Sequence, residues 1–143
     1  MNVEPEIEAR WVNTGQVRLV AKNYPFLGPD SFLAAEAAEA AAARGKYWAY
    51  RTRLFQRTLV EGRGAFRPES LKRVAAEVGL DQRKFDAALD NRRYQETVLA
   101  ERREADALGI HATPSFHLNG RALPGVPKLE EWERVIEQEL AKK

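Results

Sequence analysis

The chain has 143 residues, enough to bury the core of one domain, and its 44% hydrophobic and 31% charged content is that of an ordinary globular fold. A formal net charge of +2 is too small an excess to argue for nucleic acid as a partner, and no apolar run reaches the length of a membrane span. There is no cysteine and there are only two histidines, His111 and His117, which excludes a disulfide framework, a thiolate zinc site, a cysteine nucleophile and a histidine-rich metal site within these residues.

The N-terminus, MNVEPEIEARW, is acidic and polar and reads as carrying no signal peptide. Val3, Ile7 and Trp11 fall at helical spacing around Pro5, which predicts a helix over 3–11 that the NTG of 13–15 stops. Val17–Tyr24 alternates Val17, Leu19 and Ala21 against Arg18, Val20 and Lys22 and predicts the first strand, which PFLGP then breaks. Asp30 or Ser31 is placed to cap a helix reaching Arg44, with Gly45 as its stop. Its AAEAAEAAAA run is strongly helix-forming and small enough for close packing. KYWAYRTRLFQRTL predicts the next helix, with Trp48, Leu54, Phe55 and Leu59 on one stripe, and VEGRGAF reads as a flexible loop. Pro68 opens a helix that carries Leu71, Val74, Ala75 and Val78 to Gly79, and Asp81 caps a shorter one with Phe85, Ala88 and Leu89. A further helix over about 93–108 turns Tyr94, Val98, Ala105 and Leu108 inward and stops at Gly109. GIHATPSFHLNGRALPG, residues 109–125, reads as two short strands around a tight turn, with Pro114 at the entrance to the first. Pro127 and Lys128 lead into a last helix with Leu129, Trp132, Ile136 and Leu140 on one face.

Helix, strand, several helices, strand–turn–strand and helix describe one mixed α/β domain over 1–143, with 29–108 as a helical insertion between 1–28 and 109–143. That order, together with the strings PEIEARWVNTGQVRLVAKNYPF, AAEAAEAAAARGKYWAYRTRLF, VAAEVGLDQRKFDAAL and ALGIHATPSFHLNGRALPG, resembles the DsbA-like branch of the thioredoxin fold along nearly the whole chain. ATPSFHLNGR is the most specific piece. The resemblance implies a thioredoxin-like α/β fold with a helical insertion, thiol–disulfide exchange on protein substrates, no cofactor, and a periplasmic or other extracytoplasmic setting. It also implies roles at one loop. Pro114 would be a cis-proline, a geometry far less costly before proline than elsewhere. Thr113 would offer free backbone to an extended peptide as an added strand, and His111 would line that groove. From the residues alone, Pro114 reads as a trans proline opening an edge strand, and His111 reads equally as a polar loop residue.

The resemblance exposes a gap. Proteins of this kind begin with a strand that ends in Cys-x-x-Cys at a helix N-terminus, where the thiolate is stabilised. This sequence starts inside what looks like that helix, so the expectation is a fold without its first strand. The chain as given would be inactive, because disulfide exchange passes through a mixed disulfide and no sulfur nucleophile is present. The missing strand would lie between Val17–Tyr24 and Ser115–Leu118, leaving a slot of about twice the 4.8 Å strand spacing. The slot predicts that the two strands close up, that a second copy covers the edge as a homodimer, or that the chain folds poorly; association is the favoured expectation.

The remaining candidates have plain readings. His117, between Phe116 and Leu118, should face away from the core. Arg92, Arg93, Arg102 and Arg103, near Glu96, Glu101 and Glu104, read as a solvated face of i,i+4 pairs, and Trp11, Trp48 and Trp132 as core packing. EGRGAF lacks the lysine and preceding strand of a phosphate loop. Two functions follow: a thiol–disulfide oxidoreductase whose sulfur lies outside these residues, or a non-catalytic module that binds peptides or a partner on the same fold.

Overall fold

The computed structural model describes residues 3–142 and separates by contact into two compact units, 1–22 with 110–143 and 23–109. In chain order the helices are α1 (Glu4–Ile7), α2 (Pro29–Ala42), α3 (Tyr47–Glu61), α4 (Pro68–Glu77), α5 (Gln82–Asp90), α6 (Gln95–Ala107) and α7 (Leu129–Leu140). The strands are β1 (Phe116–Leu118) and β2 (Arg121–Leu123).

In the unit of residues 23–109, α2 is the central element and touches α3, α4, α5 and α6. It starts one turn-position earlier than Asp30 or Ser31 predicts: Gly28, at φ 92°, is its cap, and Pro29 takes the first helical position, where no N–H is needed. Ala34, Ala35, Ala37, Ala38, Ala40 and Ala41 are all buried, so α2 is apolar nearly all round. Alanines let the neighbouring helices approach the α2 backbone closely. The larger side chains that fill the spaces between them come from those neighbours: Tyr50 and Leu54, Leu71 and Val74, Phe85 and Leu89. Tyr50 is fully buried; its hydroxyl donates to the Leu71 carbonyl at 3.0 Å, its ring lies 5.6 Å from that of Phe85, and burial pushes the phenol pKa well above its ordinary value.

Two carboxylates, Glu36 and Glu39, interrupt the alanines, and Glu36 is the buried one. Glu36 is 2% exposed and receives three hydrogen bonds from the Arg92 guanidinium: Nε to Oε1 at 2.8 Å, and Nε and Nη2 to Oε2 at 3.0 and 2.5 Å. Arg92 reaches it from an unusual backbone. At φ 52° it occupies the left-handed position that closes α5, with Arg93 N–H bonded to Ala88 O and Arg92 N–H to Leu89 O. Glycine normally fills that position, as Gly45 and Gly79 do after α2 and α4. Arg92 therefore forms a charge-assisted pair with a buried carboxylate and does not belong to the solvated arginine face that the sequence suggests.

Other expectations change here too. VEGRGAF is ordered: Val60 and Glu61 finish α3, and Gly62–Phe66 form a 3₁₀ turn that buries Ala65. Glu101 accepts from Asn23 N–H and Nδ2 at 3.1 and 2.8 Å, and Arg102 donates to Pro25 O, so these two residues hold the chain entering α2. Leu108 is exposed, because α6 ends at Ala107 before another turn can carry it inward. Trp48, read as core, is also exposed. At 100° per residue it lies on the opposite side of α3 from buried Tyr50 and Leu54.

In the other unit, Ile7 and Trp11 pack with Leu123, Trp132, Val135 and Ile136. The predicted helix over 3–11 is short: α1 gives way to a π turn, Glu8–Val12, in which Asn13 N–H bonds to Glu8 O. The expected strand at Val17–Tyr24 does not form. Val17 N–H turns back to Trp11 O, and none of the described residues pairs with the segment as a ladder. Alternation of side chains is a property of the segment itself, whereas a strand also needs a backbone beside it. Nor do Val17–Tyr24 and Phe116–Leu118 close up: β1 pairs with β2 in the sole two-stranded sheet among the described residues.

Replacing Arg92 with Met keeps the left-handed backbone and strips Glu36 of its partner. We expect a loss of about 1–3 kcal/mol, below that of a fully buried pair because Arg92 itself is 43% exposed and water can reach the freed carboxylate, read as a lower urea midpoint. A second network joins α3 to α4. Hydrogen bonds from Arg57, and from Ser70 to Glu61 and Arg53 to Glu77, hold both carboxyls below the usual carboxylate range. Their contribution is present above the unfolded carboxylate range and is lost as pH falls through the lower folded values. The stability gap between the native chain and an Arg57→Met variant, measured by urea titration, should therefore shrink on acidification below about pH 4.

Candidate functional site

Residues 110–125 enter the hairpin unit after Gly109, whose φ of 72° ends the preceding helix. His111, Ala112, Thr113, Pro114 and Ser115 are consecutive and all exposed. The Thr113–Pro114 peptide is cis, as the resemblance implies. Ser115 Oγ donates to Ala112 O at 2.6 Å and closes the loop across Thr113 and Pro114. Neither the N–H nor the carbonyl of Thr113 enters a backbone hydrogen bond among the described residues. The loop thus presents one unused donor and one unused acceptor to solvent, beside the imidazole-bearing residue His111.

The hairpin anchors the loop. Phe116 pairs with Leu123, His117 with Ala122 and Leu118 with Arg121. Asn119 and Gly120, at φ 50° and 81°, form the turn, and two consecutive left-handed residues match the right-handed twist of the strands. Alternation puts Phe116, Leu118 and Leu123 toward α7, where the Phe116 ring meets Trp132 edge-on at 5.3 Å. His117 falls on the exposed side, as its neighbours predict. Beyond the hairpin, Lys128 N–H is capped by the Glu131 carboxylate at 2.9 Å, which fixes the start of α7. Asn119 Nδ2 donates to Glu139 Oε2 at 3.0 Å and ties the turn to the far end of the same helix.

Chemically, the arrangement offers backbone and little else. Thr113 can pair with an extended peptide in the manner of an added strand. No side chain here is a nucleophile for disulfide exchange, since the chain has no cysteine. Thr113, Pro114 and His111, the residues singled out from the sequence, all lie in this one exposed loop. What sequence reasoning does not anticipate is the Ser115 hydroxyl that fastens the loop, for which a serine after proline is the only signal.

A family model described as "Thioredoxin" matches residues 1–138. The chain is 38% identical over 109 residues to the Na(+)/H(+) antiporter NhaA of Herminiimonas arsenicoxydans, covering 76% of this chain and 17% of that protein. It is 25% identical over 146 residues to "Probable disulfide bond formation protein D" of Bacillus anthracis, covering 99% of this chain and 66% of that protein. The chain therefore spans only part of the length of these relatives. Among solved structures it superposes on oxidised BdbD from Bacillus subtilis with a TM-score of 0.88, at 22% identity, over 98% of this chain and 77% of the other.

Gly120→Ala tests how firmly the hairpin holds the loop. No atom lies within 4 Å of the added methyl, so the cost comes from the left-handed backbone alone, about 1–2 kcal/mol. Amide exchange should accelerate in β1 and β2 while the unit of 23–109 keeps its protection.

Proposed function

The chain belongs to the DsbA-like thioredoxin family, and from that premise we propose that these residues form the peptide-binding part of a thiol–disulfide oxidoreductase. An extended segment of a protein substrate pairs with the Thr113 backbone beside Pro114 and His111. Binding there places a substrate disulfide or dithiol at the loop. The exchange itself draws on sulfur that these 143 residues do not contain. The observation that carries the reading is the family match along 1–138, which runs through the loop and its unpaired backbone. The name of the Bacillus anthracis relative, a disulfide bond formation protein, points the same way.

A second reading rests on one fact, the absence of cysteine: a module that binds extended peptides or a partner without redox chemistry. Both readings share the groove, and they part over turnover. The 143-residue chain should bind reduced, alkylated insulin B chain in a calorimeter and show no insulin reduction at any protein concentration. A peptide N-methylated at the residue opposite Thr113 should bind at least tenfold more weakly, since each lost hydrogen bond to a fixed backbone partner is worth about 0.5–1.5 kcal/mol and the methyl also obstructs the approach. Equal binding of the N-methylated peptide would place the groove elsewhere, and measurable reduction by sequence-verified protein would overturn the sulfur argument.

A further inference from the structure

The outer face of α3 reverses the usual pattern of a surface helix. Its charged residues, Arg51, Arg53, Arg57 and Glu61, are all half-buried, and every exposed residue of the helix is uncharged. Trp48, Phe55, Leu59 and Val60 are 39%, 52%, 88% and 86% exposed. A helix whose opposite side already packs on a core normally turns charge to solvent, and monomers rarely leave a contiguous apolar patch beyond a few hundred Å². Here the four large side chains expose on the order of 500 Å², more than half of the ~800 Å² that each partner contributes to a standard interface.

We propose that this face is the contact between two copies of the chain, packed α3 against α3 in antiparallel fashion. The charges favour that occupant. Arg53 and Arg57 are spent on Glu77 and Glu61, and the Arg51 guanidinium lies over the Trp48 and Phe55 rings, at 5.4 and 4.8 Å from their centres. Arg53 and Arg57 therefore bring no unpaired charge to a second copy, and Arg51 lies flat against rings of the same face. An anionic membrane surface would instead select a rim of free cations. The shape favours it too. Trp48, Phe55 and Leu59 form a ridge of large side chains, and Ala49, Thr52 and Gln56 form a row of smaller ones beside it. A two-fold axis near residue 54 sets Ala49 against Leu59, Trp48 against Val60 and Thr52 against Gln56. Leu59 then enters the partner's low row at Ala49, Trp48 meets Val60, and the two polar side chains meet each other, as a self-complementary interface requires. The proposal is independent of the peptide-binding reading, because it uses no residue of the Thr113–Pro114 loop.

The absence of cysteine makes the test clean. The native chain should run in light scattering at twice its 16.2 kDa mass at high micromolar concentration, and Leu59→Glu/Val60→Glu should halve that mass. Circular dichroism should stay unchanged, and so should the urea midpoint at concentrations dilute enough for both proteins to be monomeric, since both side chains are exposed. Mixed Ala49→Cys and Leu59→Cys copies should form a disulfide-linked pair on mild oxidation, and Ala49→Cys alone should not. A native chain that stays monomeric overturns the proposal, as does a dimer that survives the double Glu substitution, or one that forms without the 49–59 cross-link. A monomer that sediments with phosphatidylglycerol vesicles through Leu59 overturns it in favour of a membrane contact.

Discussion

The pair between Glu36 and Arg92 is the constraint around which the unit of 23–109 is arranged. A carboxylate almost wholly removed from water is tolerated only with a partner that satisfies it, and Arg92 supplies three hydrogen bonds to its two oxygens. To do so, Arg92 holds a left-handed backbone that costs an ordinary residue about 1–2 kcal/mol. The end of α5 is thereby fixed against the middle of α2. Close packing of the other helices follows from the alanines on either side of Glu36, which leave room for Tyr50, Leu71 and Phe85. Replacing the pair by apolar groups of equal volume is often neutral in stability, so its value here is positional: it sets the register of α5 on α2.

The hairpin unit works by a different rule. Its apolar cluster is small, and the two strands are three residues each. Short strands gain order from what their side chains touch, and Phe116, Leu118 and Leu123 all reach the α7 side of the hairpin. The exposed loop ahead of β1 is then held at both ends, by the hairpin and by the Ser115 hydroxyl, while its Thr113 backbone stays unpaired. Open hydrogen-bonding groups in an exposed loop are what the proposed pairing with an extended chain requires. The thioredoxin family match and the superposition on BdbD establish the fold on which this loop sits.

The outer face of α3 shows how charge can be withdrawn from a surface. Arg53 and Arg57 reach Glu77 on α4, Arg57 also pairs with Glu61 at the end of its own helix, and Arg51 covers two rings. Each cation is satisfied within the chain. The same network that joins α3 to α4 thus clears the apolar side of α3.

Much of this was legible in the sequence. Glycine and proline mark where α2, α4 and α6 begin or end because their backbone preferences are local and strong. The hairpin and its Asn119–Gly120 turn follow from the same local rules, and ATPSFHLNGR carries the resemblance that picks out Thr113, Pro114 and His111. Local periodicity could not decide which side of α3 would be buried: Trp48, Phe55 and Leu59 form as good a stripe as Tyr50 and Leu54, and only packing against α2 and α4 chose the second. It could not show that Glu36 and Arg92, 56 positions apart, would meet, because a pair that distant has no period. And it could not make a strand of Val17–Tyr24, since alternation dictates which side chains share a face, whereas a strand exists only where another backbone lies alongside to take its hydrogen bonds.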